Sequence, residues 1–129
     1  MKNSTNLKNE IDLIISIERK LGRENLNDKE LDFLTKEANK GTPRQMFNYG
    51  YYIYLTTNNE EEARAWFNKA LKVMNGHGLL RASGKLAELG DTFIDDSMRF
   101  LRRSAWRQNA IAKRMLKYMK DNPYMFPQI

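Results

Sequence analysis

The sequence predicts an all-α fold, a short right-handed α–α superhelix of about three helical hairpins closed by a C-terminal helix. Three observations predict it. Apolar residues recur at steps of three and four, and no segment alternates with the two-residue period of a strand. Only Pro43, Pro123 and Pro127 interrupt the chain, and the seven Gly fall mostly where helices would start or stop. Residues 60–71, EEEARAWFNKAL, overlay residues 94–105, IDDSMRFLRRSA, without a gap at an offset of 34. In that overlay Ala63 falls on Ser97, Trp66 on Phe100, Phe67 on Leu101, Lys69 on Arg103 and Ala70 on Ser104; upstream, Gly50 falls on Gly84. A fixed period of this length marks a helical repeat, and such chains usually bind other proteins.

The elements follow in order. A first helix is expected over residues 5–21, with its cap at Ser4 or Thr5, one apolar stripe through Leu7, Ile11, Ile14, Ile15 and Glu18–Leu21, and Gly22 as its stop. A second is expected over 28–39, capped by Asn27 or Asp28, with Leu31, Phe33, Leu34 and Ala38 inward and Gly41 closing it. Pro43 opens a third over 43–55, since the first helical turn needs no amide donor there. The fourth, 60–74, places Glu60, Glu61 and Glu62 at the positive end of its dipole. Asn75, Gly76 and Gly78 mark a break before a fifth helix over 79–89. A sixth starts at Asp95 or Asp96, acting as its cap, and ends near residue 107; a seventh covers 109–119. Short loops make neighbouring helices antiparallel. The expected organisation is one domain: a degenerate hairpin over 5–40, the best repeat over 41–74, a second over 75–108, a capping helix over 109–120 and an extended tail over 121–129.

Composition fits a soluble globular protein, with 41% hydrophobic and 29% charged residues among 129. Absence of Cys removes disulfides, Cys–zinc sites and thiol nucleophiles, and it fits a cytoplasmic setting. The apolar stretch at Ile11–Ile17 is broken by Asp12 and Ser16 and is too short for a membrane span. Charge is uneven. Residues 1–64 hold 10 Lys/Arg against 11 Asp/Glu, and residues 65–129 hold 12 against 5. The basic half suits an anionic partner, or is only a solvated surface.

The run EEARAWFNKAL at 61–71 resembles the second helix of a Sel-one-like repeat, a relative of the tetratricopeptide repeat. Ala63, Trp66, Phe67, Lys69, Ala70 and Leu71 fill that pattern, and Ser97, Phe100, Leu101, Arg103, Ser104 and Ala105 fill it again. Phe33, Leu34, Lys36, Ala38 and Gly41 make a weaker copy. The first-helix pattern appears as Tyr49-Gly50, Ile53 and Thr56, then as Ser83-Gly84, Ala87 and Gly90. The usual Gly-Val loop is replaced by Thr57, Asn58 and Asn59. The resemblance implies a stacked-hairpin fold and a cytoplasmic adaptor or regulator that is not an enzyme, and it carries over no catalytic residue.

Sequence chemistry points the same way. His77 is the only histidine and has no neighbouring ligand or nucleophile, so no catalytic residue, metal or cofactor is expected. The resemblance to tetratricopeptide-like stacking implies that first helices line a concave face, with Tyr49, Gly50 and Ile53 turned inward. Phe47, Tyr51 and Tyr54, with Arg81 and Lys85 a repeat later, then form a row suited to a protein or acidic peptide. The alternative partner is nucleic acid. Arg99, Arg103 and Arg107 recur at four-residue steps beside Arg102; Lys113, Arg114, Lys117 and Lys120 follow, with Trp106 and Tyr118 nearby. The tail NPYMFPQI is apolar enough to fold back as a cover over the last helix, or to enter a groove on a second copy.

Overall fold

The computed structural model describes residues 4–125, with side chains from residue 7 onward. Their regular structure is all helical, in agreement with the expected class. The helices are α1 (Ser4–Lys20), α2 (Asp28–Asn39), α3 (Pro43–Thr57), α4 (Glu60–Val73), α5 (Gly76–Glu88), α6 (Ile94–Trp106) and α7 (Ala110–Asp121). A 3₁₀ turn over Asp91–Phe93 leads into α6. Two compact units result, Met1–Lys72 and Val73–Ile129.

In the first unit, α2 opens on a capping box. The Asn27 side chain accepts from the Glu30 N–H at 2.8 Å, and the Glu30 carboxylate accepts from the Asn27 N–H at 2.9 Å. The same carboxylate takes Lys20 Nζ at 2.8 Å and the Ser16 hydroxyl, both from α1. Glu30 is 2% exposed. Burial opposes its ionisation, but the bonds from Lys20, Ser16 and Asn27 outweigh it and hold the carboxyl down at about 2. Arg44 of α3 pairs with Glu18, and Asn48 Nδ2 reaches Glu18 at 2.9 Å and Gln45 Oε1 at 3.0 Å.

These polar ties set the rotation of α1 and correct its expected phase. Ile17 and Leu21 are buried, whereas Leu7, Ile11 and Ile15 are about half exposed. Ser16, Lys20 and Glu18 must face Glu30, Arg44 and Asn48, so the helix turns its Leu7–Ile15 stripe outward. Helix α3 is packed against α2 on one side and α4 on another. Its Phe47 ring lies 5.1 Å from that of Phe67, and its Tyr49 ring meets Trp66 edge-on at 5.0 Å. At Gly50 the α4 backbone comes close enough that an added Cβ would stand 3.0 Å from the Ala63 carbonyl.

In the second unit, α6 packs against both α5 and α7. Leu79, Leu86, Phe93 and Phe100 are fully buried, and Met98, Leu101 and Ala112 form a cluster with Leu116 and Met119. Two serines tie α6 to α5. Ser97 Oγ donates to the Ser83 carbonyl at 2.7 Å, and Ser104 Oγ donates to the Gly76 carbonyl at 2.6 Å. Helix α5 starts three residues before the expected position, because the Asn75 side chain caps it through the Gly78 N–H at 2.7 Å and draws both glycines into the first turn. Asp95 and Asp96 are not caps. They occupy the first turn of α6, whose start is set by the 3₁₀ turn, and Asp96 is buried against Arg99 at 2.9 Å. Asn109 caps α7 through the Ala112 N–H.

The two sequence copies agree in part. Ala63 and Ser97, Phe67 and Leu101, and Ala70 and Ser104 are buried in both. Trp66 is half-buried where Phe100 is fully buried. Gly84 departs from Gly50: it is exposed, and no atom lies within 4 Å of where its Cβ would be. The expectation of matching close approaches at both glycines is therefore corrected.

Candidate functional site

The proposed groove row does not form as expected. Phe47 is 4% exposed and Tyr51 5%, because α3 is covered on more than one side and both rings enter the core of the first unit. Phe47 packs against Phe67, and Tyr51 lies beside Phe47 with its hydroxyl reaching toward Gly22. Tyr54 is half-buried on the same unit. Arg81 is exposed and Lys85 half-buried on the second unit, where Lys85 pairs with Glu88 at 3.6 Å.

The basic residues of α6 are presented differently. Burial of Ser97, Phe100, Leu101 and Ser104 turns the opposite side of the helix to solvent. That side carries Arg99, Arg102, Arg103 and Trp106, at relative positions 0, 3, 4 and 7, which share one helical face. Trp106 is 66% exposed. The Arg103 guanidinium carbon stands 4.2 Å from its ring centre, and that of Arg107 stands 5.9 Å away. Arg103 Nε is buried without a hydrogen-bond partner, and the guanidinium rests on the indole through a cation–π contact. Arg99 is committed to Asp96. Arg114 lies on α7, where it lines a shallow depression with Ile111, Met115, Tyr118 and Met119. The structure thus gathers Arg102, Arg103 and Arg107 around Trp106, while Arg114 belongs to another helix.

Electrostatics reinforce this face. Residues 73–129 hold 10 Lys/Arg against 5 Asp/Glu. Three of those five carboxylates, Glu88, Asp96 and Asp121, already pair with Lys85, Arg99 and Lys117.

From its residues alone Trp106 lies near the basic stripe, and the structure puts it at the centre; the signal for this is the seven-residue step from Arg99 with Arg102 and Arg103 between. The exposed apolar strip of α7, Ile111, Met115 and Tyr118, has a spacing that also reads as a core stripe. His77 is exposed in the first turn of α5. Tyr124 and Met125 are exposed in a turn closed by the Met125 N–H on the Asn122 carbonyl, where an extended run was expected. The rest of the expected apolar cover, residues 126–129, lies outside the described residues. Among the described residues no helix is long and apolar enough to cross a membrane, and no group of three or more potential metal-ligating side chains occurs. Comparison with family models, with curated proteins and with solved structures yields no match.

Proposed function

We propose that this chain is a non-enzymatic cytoplasmic binding protein that engages nucleic acid phosphates through Arg102 and Arg103 of α6 and Arg107 at its C-cap. The observation that carries this reading is the Arg103 guanidinium stacked at 4.2 Å on an exposed Trp106 in a unit with twice as many cations as carboxylates. Arginine forks bind phosphate oxygens in pairs, and their contribution is long-ranged and weakened by salt. In the same reading the chain is a divergent helical-repeat relative of the Sel-one-like and tetratricopeptide proteins. The common burial of Ala63 and Ser97, and of Ala70 and Ser104, supports that kinship.

Fluorescence anisotropy of a labelled oligonucleotide, titrated at several salt concentrations, tests the function. The expected result is a log–log slope near −2, from three arginines at about −0.7 each on a single strand. Replacing Arg102 and Arg103 together by Glu should weaken binding by at least about tenfold, the loss and reversal of two phosphate contacts. Binding that is insensitive to both salt and these changes would overturn the reading.

A second reading, an adaptor for an acidic protein segment, is favoured by the exposed Ile111, Met115 and Tyr118 beside Arg114. Capture of a synthetic acidic amphipathic helix, lost in Ile111→Asp but retained in Arg102→Glu, would support it over the first.

A further inference from the structure

We infer that the nucleic acid bound at α6 is single-stranded and that Trp106 is the platform on which one of its bases stacks. This inference rests on the phosphate-binding reading above and names the substrate class of the same site. Among the described residues of α6, Trp106 is the one exposed large hydrophobic side chain; its exposed companions are arginines and Asp95. A protein partner recognised through an aromatic anchor normally surrounds it with further apolar area. A lone ring among cations instead matches a nucleotide, which offers a flat apolar base and a phosphate a short distance from it.

The geometry suits stacking. Arg103 lies over the indole at 4.2 Å and Arg107 approaches at 5.9 Å, yet the residue keeps 66% of its surface open. Stacked arginine restricts the side chain and leaves the remainder of the ring to a ligand. The buried Nε of that guanidinium has no hydrogen-bond partner. Bases in a duplex are already stacked on one another, and an indole on the outer face of a helix reaches them only at the cost of unstacking. Unpaired bases carry no such cost, and each has a π-face, so the platform is tolerant of sequence.

The test uses the full chain with Trp66→Phe, which leaves Trp106 as the sole indole, and three probes: a thymidine oligonucleotide, a duplex of equal length and poly-glutamate. The thymidine probe should quench Trp106 emission and bind about tenfold or more tighter than the duplex. In the otherwise unaltered chain, Trp106→Ala should weaken the single strand by about 5- to 100-fold, the range of one lost base stack. Duplex affinity should stay within about twofold, since phosphate contacts are retained. Equal affinity for strand and duplex, or indifference of the single strand to Trp106→Ala, would overturn the stacking inference while leaving phosphate binding intact. Failure of both nucleic acids would overturn both, and tight poly-glutamate binding with neither would assign the face to an acidic protein. The Trp106→Ala titration needs no quenching signal, so the inference stays open to refutation if Trp66→Phe does not fold.

Discussion

A Cβ on residue 50 would lie 2.9 Å from the Cβ of Trp66, whereas its sequence counterpart, Gly84, has open space around the same position. One glycine is required by helix–helix contact and the other is not. Gly50→Ala must displace Phe67 Cε1, also at 2.9 Å, and the Ala63 carbonyl at 3.0 Å. Overpacking costs about 1–3 kcal/mol, against a gain of about 1 kcal/mol in helix propensity. A net loss of up to about 2 kcal/mol is expected at Gly50. Gly84→Ala gains about 0.5–1 kcal/mol, because only the helix propensity changes. Urea midpoints of the two variants should move in opposite directions; a shared direction would contradict this account of Gly50.

Acid should loosen the first unit through Glu30. Its folded value lies near 2, below the ordinary 4.5. A depressed carboxyl stabilises above its unfolded value, and that contribution disappears as pH falls from 4.5 toward 2. Glu30→Gln removes the charge-assisted bond to Lys20 and should cost about 1–3 kcal/mol at neutral pH. The variant should also show a flatter fall in stability between pH 5 and 2 than the parent, read by thermal unfolding across that range. An equally steep fall would move the acid-sensitive group elsewhere.

Buried serines in α6 replace buried alanines in α4, and they bond across to α5. Ser97→Ala and Ser104→Ala each leave a carbonyl, of Ser83 or Gly76, without its side-chain donor. Each should cost about 0.5–1.5 kcal/mol. Phe100→Ala, at a fully buried site, should cost about 3–5 kcal/mol. Trp106→Ala should cost no more than about 1 kcal/mol, because the ring stands in solvent and gives up only an exposed cation–π contact. Denaturation of these four variants checks the ranking, and a Trp106 cost comparable to that of Phe100 would refute the description of Trp106 as a surface platform.

Helix existence and many helix ends were legible in the residues alone. Helix α2 has the expected bounds, and Asn27, Pro43 and Asn109 start their helices as read. These signals are local: a cap, a ring without an N–H, or a turn of carboxylates acts within a few residues of itself. The shared burial of Ala63 with Ser97 and of Ala70 with Ser104 was legible because a repeat fixes spacing along one helix face.

What tertiary structure decided was which side of each helix meets a neighbour. Leu7, Ile11 and Ile15 made a good apolar stripe, yet ion pairs from Glu30 and Arg44 turned α1 away from it. Phe47 and Tyr51 read as groove-facing because the repeat motif would turn Tyr49, Gly50 and Ile53 inward, but α3 is enclosed by α2 and α4 and takes Phe47 and Tyr51 into its core. A period of 34 residues specifies where each chain segment recurs, not how many neighbours surround it. Burial depends on those neighbours, and they come from distant parts of the chain.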